Sequence, residues 1–225
     1  MKDLITIGLP SKGRLKDKAI SFFDGRGLKI LQSEKERNYF GTIENKPNIK
    51  IIFLHAKEII QRLGDGTLDL GISGLDLLKE SEKNLQDKIN IQKKLNFGYA
   101  NLVIAVPDDW IDVQTIADLE EVSFDFKSKR NSRLRVATKY PNLTNNFLIS
   151  KGVTQYKLVS SLGATETYPF IGSSEIISDI TSTGKTLDDN NLRILKDGLI
   201  LSSTACLFCV KKKLEKIKKL NLFNY

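Results

Sequence analysis

The sequence predicts an α/β fold built from two units, and three observations carry this prediction. Apolar, strand-like runs alternate with segments of helical period along most of the 225 residues. Glycine or proline ends several of these segments, which marks turns between strands and helices. A second alternating series begins near Gly98, and no low-complexity linker separates it from the first. We therefore expect two α/β units joined by a pair of crossing strands.

In the first unit each expected strand leads into a helix, the arrangement typical of a largely parallel sheet. The expected strands are 4–9, 49–54 and 68–72. The expected helices are 15–24, 56–63 and one that opens at 73–76. Gly25 and Gly27 are expected to close the first helix, because glycine readily takes the left-handed conformation found at helix ends.

The second unit continues the alternation to the end of the chain. Its expected strands are 102–106, 134–138, 156–160, 192–195 and 199–210. Its expected helices are 115–121, 143–150 and a final basic helix. Pro107 should stop the first of these strands, and Gly152 should end the helix 143–150.

The composition is that of a soluble globular protein, with 40% hydrophobic and 28% charged residues. The longest apolar runs, such as 49–54 with Lys50 inside it, are far too short to cross a membrane. The first residues lack the apolar core of a signal peptide. These features predict a cytoplasmic protein with no membrane association.

The net charge of +8 comes chiefly from lysine and is densest in the run 211–219. Leu214, Ile217 and Leu220 fall at helical spacing within and after this run, which predicts an amphipathic helix packed on the domain. The alternative is a nucleic-acid-binding arm. Interleaved aromatic residues and a recognisable nucleic-acid module are both missing, so we expect no nucleic-acid partner.

Cys206 and Cys209 form a C-x-x-C pattern inside an apolar run. In a strand their side chains would point to opposite faces, which favours core cysteines over a metal or redox site. The single histidine, His55, lies where a strand passes into a helix. We expect it to be structural.

The segment 176–187 is the most informative about function. An apolar approach ends in Asp179, and a cluster of small hydroxyl residues then surrounds a glycine: Thr181, Ser182, Thr183, Gly184 and Thr186. Such a loop offers hydroxyls and free backbone N–H groups to a phosphate, and the preceding carboxylate suits sugar hydroxyls. A phosphorylated ribose fits both. Lys185 completes a partial P-loop pattern, but a carboxylate at 179 replaces the glycine that pattern needs. An ordinary polar turn remains the other interpretation.

Three further turns combine cations or hydroxyls with a helix start, where anions bind well. The first contains Ser11, Lys12 and Arg14, the second spans 69–76, and the third spans 135–144. In an open α/β sheet, ligands bind beyond the carboxyl ends of the strands, where we expect these turns to lie. Each is also compatible with a plain strand-to-helix turn.

Four segments, in this order, resemble the motifs of ATP phosphoribosyltransferases, the enzymes that begin histidine biosynthesis. They are 10–15, 69–76, 135–143 and 178–187. The resemblance extends over essentially the whole chain and is to the short form, which lacks a C-terminal regulatory domain. It implies a two-lobed fold like that of type II periplasmic binding proteins, with the active site in the cleft. Lobe I would comprise 1–97 plus 194–225, and lobe II would comprise 98–193 with the loop for 5-phosphoribosyl 1-diphosphate (PRPP).

The resemblance implies transfer of the phosphoribosyl group of PRPP to N1 of ATP, with Mg²⁺ and release of pyrophosphate. Catalytic roles would fall to Lys12, Arg14 and Asp179. PRPP would be bound by Glu166, Asp179, Thr181, Ser182, Thr183, Gly184, Lys185 and Thr186. ATP would be bound by Ser11, Arg14, Asp69, Ser73, Gly74, Asp76, Arg135, Thr138, Lys139 and Tyr140.

Some phosphoribosyltransferases of another fold carry two adjacent acids before the phosphate loop, whereas Ser178 precedes Asp179 in this chain. We therefore expect Mg²⁺ to be carried mainly by the substrate. The resemblance also implies a separate regulatory subunit that resembles histidyl-tRNA synthetase, in a hetero-oligomer. The alternative function is a non-catalytic, two-lobed small-molecule-binding protein of the same fold.

Overall fold

The computed structural model describes residues 4–32 and 39–219. The chain divides into two units. Unit 1 contains the described residues up to Gly98 and from Thr204 onward, and unit 2 is Tyr99–Ser203. The return into unit 1 was expected at 194 and occurs ten residues later, at Thr204, because the strand that begins at Leu192 stays paired within unit 2.

Twelve strands and eight α-helices form the described parts of the two units. The strands are β1 Ile5–Pro10, β2 Ile30–Gln32, β3 Phe40–Ile43, β4 Lys46–Leu54, β5 Leu70–Gly74, β6 Ile89–Lys94, β7 Ala100–Pro107, β8 Leu134–Thr138, β9 Tyr156–Ser160, β10 Ile176–Thr181, β11 Leu192–Ser203 and β12 Ala205–Val210. The helices are α1 Gly13–Asp24, α2 Ala56–Gly64, α3 Leu75–Glu80, α4 Lys83–Gln86, α5 Ile116–Arg130, α6 Pro141–Ser150, α7 Lys185–Asp188 and α8 Leu214–Lys219.

Unit 1 is built on a seven-stranded sheet with the order β2-β3-β4-β1-β5-β12-β6. Strand β1 runs parallel to β4 and β5, and the other pairings are antiparallel. The α/β class is thus confirmed, but the expectation of a largely parallel sheet is wrong. Short connections join β2, β3 and β4, and they favour antiparallel neighbours because a parallel pair needs a long crossover.

Alternation along β12 shows how this sheet is buried on both faces. Cys209 packs with Phe23 of α1 on one face, and Cys206 packs with Ile59 of α2 on the other. Both cysteines are free and buried. Their predicted role as core residues on opposite faces of a strand is confirmed. His55 is the N-cap of α2, where its Nδ1 accepts a hydrogen bond from the Lys57 N–H at 3.3 Å, which confirms its structural role.

Unit 2 is built on a five-stranded sheet with the order β11-β7-β10-β8-β9. Strand β8 runs parallel to β9 and β10, whereas β7 is antiparallel to β10 and β11. The expected strands 192–195 and 199–210 are instead one irregular strand, β11, followed by β12 after Thr204. Pairing along β7 accommodates the register shifts of β11, so the polar residues between the two expected strands do not end it.

Helix α5 begins near the predicted residue but extends nine residues beyond the expected end at 121. Thr115 and Asp118 form a capping box at its start, and Asn131 ends it with a left-handed φ of 48°. The basic segment after β12 forms a 3-10 turn, Lys211–Lys213, and then α8. Ile217 is buried there in the core of unit 1, as expected for an amphipathic helix. Leu220 lies outside the described residues.

Among the residues that the structure describes, no helix is both long enough and apolar enough to span a membrane.

Candidate functional site

Asp179 lies near the carboxyl end of β10 and is half-buried. Its Oδ1 atom is buried and has no hydrogen-bond partner in the described part of the chain. Burial raises the pKa of this carboxyl above its ordinary value of 3.8, and the nearby Glu166 carboxylate raises it further. A hydrogen bond from the Ile180 N–H, the Lys139 cation and a hydrogen bond from Thr165 lower the pKa in part. A half-buried carboxylate with an unused acceptor is suited to a hydroxylated ligand.

Strand pairing brings Asp179 together with two residues from other predicted segments. Strands β8 and β10 are parallel, and Ser178 is paired with Thr138, so Lys139, the first residue after β8, comes next to Asp179 of β10. Glu166 is half-buried in a 3-10 turn, Thr165–Thr167, that contacts β10. One cation and two carboxylates from three separate segments therefore act on one another at this edge of the sheet.

A chain of buried hydroxyls fixes the ends of β8 and β10 near Asp179. Only one of these residues, Thr138, was expected to bind a substrate. Thr138, Thr144 and Ser178 are all at most 1% exposed. Thr138 Oγ1 lies 3.3 Å from Thr144 Oγ1, which donates to Ser178 Oγ at 2.8 Å. The Tyr140 N–H donates to Thr138 Oγ1 at 2.9 Å, so Thr138 orients the turn from within. Small hydroxyl residues at the ends of two neighbouring parallel strands were the available signal.

The loop after Asp179 is held open by its own hydroxyls. Thr181 Oγ1 accepts from the Gly184 N–H at 2.9 Å, and Thr183 Oγ1 accepts from the Lys185 N–H at 3.4 Å. The backbone N–H groups of Ser182 and Thr183 have no acceptor in the described part of the chain. Gly184 has φ of +80°, a conformation that favours glycine. The loop thus presents free N–H groups of the kind that bind phosphate.

In unit 1, the carboxyl end of β1 carries the first predicted anion site. The Ser11 N–H donates to the Leu54 carbonyl at 2.9 Å, which fixes the turn against β4. Lys12 is the N-cap of the twelve-residue helix α1, and Lys12 and Arg14 are exposed. Neither cation has an ion-pair partner among the described residues. Two uncommitted cations at a helix start can bind an anion.

The carboxyl end of the neighbouring strand β5 places Ser73, Gly74 and Asp76 near this turn, since β1 and β5 are parallel. Ser73 Oγ donates to the Ala56 carbonyl at 2.7 Å and is fully buried, so it supports the start of α2. A Cβ atom on Gly74 would lie 2.3 Å from Asp76 Oδ1. Only glycine therefore lets the Asp76 carboxylate fold back over the strand end.

Two of the residues expected to bind ATP, Asp69 and Arg135, lie at the amino ends of their strands. Asp69 precedes β5, and its carboxylate accepts from the Thr6 N–H at 2.7 Å and from Lys213. Arg135 lies near the start of β8 and forms a bidentate pair with Glu175, with Nη2 donating to Oε1 at 2.6 Å and Nε donating to Oε2 at 3.2 Å. Both side chains have structural partners at the amino ends of the strands, opposite to the candidate sites.

The chain matches one known enzyme family over most of its length. The family model HisG, described as ATP phosphoribosyltransferase, matches residues 55–223. The chain is 45% identical over 209 residues to the ATP phosphoribosyltransferases of Brucella melitensis biotype 2 and Brucella suis, which covers 92% of this chain and 90% of each relative. The enzyme of that name from Brucella anthropi is 44% identical over 212 residues.

Solved structures agree with the sequence relatives. The ATP phosphoribosyl transferase (HisG:HisZ) complex from Thermotoga maritima matches with a TM-score of 0.72 and 25% identity, over 96% of this chain and 91% of that one. A probable amino-acid ABC transporter extracellular-binding protein from Bacillus subtilis matches with a TM-score of 0.54 and 13% identity. At 13% identity, the match to the binding protein shows only that the two proteins share a two-lobed fold.

Proposed function

Because the chain belongs to the ATP phosphoribosyltransferase family, we propose how its described residues divide the work of that reaction. The enzyme transfers the 5-phosphoribosyl group of PRPP to N1 of ATP, the first step of histidine biosynthesis. The alternative function, a non-catalytic binder, has no support, since the binding proteins of similar fold share only the fold with this chain.

The ribose of PRPP would bind at Asp179, and its 5-phosphate would bind in the loop 181–186. The observation that carries this proposal is the buried, unpartnered Oδ1 of Asp179 directly before a loop with free N–H groups. Ribose hydroxyls would donate to that carboxylate, with Glu166 as a second acceptor nearby. The exposed side chains of Ser182 and Thr183 would add hydroxyl donors to the phosphate.

The cations of unit 1 would bind the phosphates that carry the remaining negative charge. Lys12 and Arg14 are exposed and uncommitted, so either the diphosphate of PRPP or the ATP phosphates can engage them. Ser11, Gly74 and Asp76 are proposed to line the ATP side, with Ser73 supporting them from below. In unit 2, Lys139 and Tyr140 are proposed as further ATP-binding residues, and Thr138 would hold their turn.

The reaction makes one bond and breaks one bond at the anomeric carbon of the ribose. Adenine N1 donates its electron pair to C1, and the C1–O bond to the diphosphate breaks, with both electrons leaving on pyrophosphate. Positive charge develops at C1 in the transition state, so fixed carboxylates near the ribose and cations near the diphosphate would both lower the barrier. N1 is already nucleophilic, so the chain's lack of a candidate histidine base is no obstacle. Holding both substrates in a reactive geometry would lower the entropic part of the activation barrier.

A magnesium ion is expected in this family, and the described residues do not form a cage for it. In the described ranges, no group of three or more His, Cys, Asp or Glu side chains is placed so that it could hold a metal ion. We propose that Mg²⁺ enters on the diphosphate of PRPP, where it would neutralise charge on the leaving group.

The T. maritima complex contains a second protein with the transferase, and we propose that this chain likewise assembles with a regulatory subunit resembling histidyl-tRNA synthetase. A cytoplasmic location is proposed with it, because the pathway draws on cytoplasmic ATP. Size-exclusion chromatography of the chain with and without that subunit tests the assembly. Separate elution at micromolar concentrations would contradict it.

The catalytic assignment is tested by ultraviolet detection of N1-(5-phosphoribosyl)-ATP, with pyrophosphatase drawing the reaction forward. Asp179→Asn should lower kcat/KM for PRPP by about a hundredfold or more, because it removes charge that acts on the developing cation. Asp189→Asn is the matched control, since it removes an exposed carboxylate ten residues farther along the chain. Equal activity of the two variants would overturn the proposed role of Asp179.

The phosphate assignment is tested on α1. Lys12→Met should raise the KM for ATP or PRPP by about tenfold, the effect of losing one charge-assisted hydrogen bond. Lys18→Met removes another exposed lysine of the same helix and should leave both KM values unchanged. A similar response of both variants would mean that only the general positive charge of the helix matters.

A further inference from the structure

Unit 2 carries a pocket of about 1000 Å³ that the transferase reaction does not use. Its wall is formed by the loop after β7, one side of α5 and the segment before β10. Arg135 is the one residue of this wall for which the sequence implied contact with ATP, and its guanidinium is paired with Glu175. The volume falls within the range of pockets that bind small molecules.

The pocket lies at the edge of the unit 2 sheet opposite to Asp179. Pro107 ends β7 and is paired with Leu192, whereas Asp179 is paired with Val103 farther back along the same strand. Ser174, in the pocket wall, precedes Asp179 by five residues, or about 16 Å of extended chain. A molecule in this pocket would therefore not contact the PRPP loop.

Aromatic side chains provide the apolar part of the wall. The rings of Trp110 and Phe126 lie 6.3 Å apart, and the Arg130 guanidinium covers Phe126 at 4.4 Å. Phe170 is 62% exposed at the rim. Because Arg130 already covers Phe126, the surfaces open to a ligand are those of Trp110 and Phe170.

The charge of the wall is opposite to that of the chain. Four carboxylates and two cations line the pocket, although the chain as a whole carries +8. One cation, Arg135, is neutralised by Glu175. The other three carboxylates, Asp108, Asp109 and Asp112, have no ion-pair or hydrogen-bond partner among the described residues. Against the one remaining cation, Arg130, these three carboxylates leave the wall with net negative charge, which favours a cation.

A buried hydroxyl without a partner is an independent observation in this wall. Ser174 is 2% exposed and lines the pocket, and its Oγ has no hydrogen-bond partner in the described part of the chain. Buried hydroxyls nearly always have a partner, so Ser174 Oγ is the polar atom of this wall that a ligand donor would satisfy.

The loop that carries the aspartates is already fixed. The Arg193 guanidinium donates to the carbonyls of Trp110 and Val113, the latter at 2.6 Å. Gln114 Nε2 donates to the Ile111 carbonyl at 2.6 Å. A ligand would thus meet a preformed wall, which reduces the ordering that binding requires.

We propose that this pocket binds a small organic cation with a flat apolar body. The body would lie against Trp110 and Phe170, the charge would face the aspartates of the loop, and an N–H of the cation would donate to Ser174 Oγ. Aromatic faces and carboxylates together are what such a cation requires, because the rings attract positive charge and bury its apolar part.

The protein itself contains the probe for this test, since Trp110 is its only tryptophan. Fluorescence of Trp110 is titrated with phenethylamine, a flat aromatic cation, and with neutral 2-phenylethanol and anionic phenylacetate of similar shape. The cation should bind at least about tenfold more tightly than either analogue. Equal responses to all three compounds, or no response at millimolar concentrations, would overturn the proposal. Binding of an oligolysine peptide without binding of phenethylamine would also overturn it, in favour of a protein partner.

Variants and competition locate the bound cation. Asp109→Asn with Asp112→Asn should weaken phenethylamine binding at least about threefold, the scale of exposed ion pairs. Ser174→Ala should also weaken binding, and because its Oγ has no partner the free protein should lose no stability. Asp24→Asn, an exposed carboxylate of unit 1, is the charge-matched control. Unchanged affinity in both pocket variants, or displacement of the probe by PRPP, would contradict the assignment. None of these readouts depends on transferase activity.

Discussion

Thr144 donates a hydrogen bond from its Oγ1 to the Oγ of Ser178 at 2.8 Å, and this contact ties α6 to the strand that carries Asp179. Since the only hydroxyl proton of Thr144 is used there, Thr138 must donate to Thr144 across 3.3 Å. The Tyr140 N–H donates to Thr138 in turn. The hydrogen bonds thus run in one direction from the turn after β8 to β10, and each bond polarises the next.

Replacing the central member of this chain should destabilise unit 2. Thr144→Val keeps the side-chain shape but leaves Thr138 and Ser178 without their partner in a fully buried position. We expect the free energy of unfolding to fall by about 1–3 kcal/mol, measured by urea denaturation. Thr144→Ser retains the hydroxyl and serves as the control. A valine variant as stable as the wild type would show that the chain does not contribute to stability.

The pH dependence of stability should reveal the raised pKa of the Asp179 carboxyl. Burial raises its native pKa above 3.8, so the folded protein binds this proton more tightly than the unfolded chain does. Stability therefore falls as pH rises from 3.8 through the native pKa, and the loss persists above it. Asp179→Asn should match the wild type in Tm at low pH and exceed it at neutral pH. A Tm difference that is the same at every pH would contradict this account.

Asp69 should matter for stability and not for turnover. Its carboxylate is 3% exposed and accepts from the Thr6 N–H and from Lys213, so Asp69→Asn weakens charge-assisted bonds in a buried site. The free energy of unfolding should fall by about 1.5–3 kcal/mol, with the KM for ATP unchanged. Asp87→Asn is the control, because its ion pair with Lys83 is largely exposed and should contribute little. A higher KM for ATP in Asp69→Asn would restore its predicted role in the site.

Arg135 should likewise contribute to stability and not to ATP binding. Arg135→Met removes the bidentate pair with Glu175 and should lower the free energy of unfolding by about 1 kcal/mol, because the pair is partly exposed. The KM for ATP should not change. Arg133→Met removes an exposed arginine close by and should affect neither quantity. Steady-state kinetics on both variants will distinguish a binding arginine from a structural one.

The two cysteines should be inert in the folded protein. Burial raises the pKa of the Cys206 thiol to about 11 and that of Cys209 to about 12. The reactive thiolate is therefore scarce at neutral pH, and both sulfur atoms are inside the core. Titration with a thiol reagent should detect neither thiol in native protein and both in urea. Rapid labelling of the native enzyme would mean that β12 opens far more readily than its burial implies.

Elements with strong local patterns were predictable. Strands β8 and β9 have the predicted bounds, because each is a short apolar run between polar turns. Strands β2 and β3 were missed, since they are short, half-exposed and held by antiparallel neighbours more than by their own residues. The end of α5 was placed too early, because only packing of residues such as Phe126 shows where its apolar side continues.

The residue types of the candidate site were predictable from the sequence, but their positions relative to one another were only partly so. Asp179 and the hydroxyl loop after it are contiguous, so one strand and one turn determine their arrangement. The segment 69–76 spans a whole strand, and its two aspartates accordingly lie at opposite ends of β5. Sequence motifs do not distinguish these ends, although ligands bind at only one of them.

The α/β class and the family follow from the sequence alone, because local period, residue type and the order of motifs are properties of short segments. The fold, by contrast, brings Asp179 into the electrostatic range of Glu166 and Lys139 and gives Asp69 and Arg135 structural partners at the amino ends of their strands. Sheet geometry explains both results. Each residue along a strand adds about 3.3 Å between neighbours in sequence, while pairing across strands places distant segments side by side.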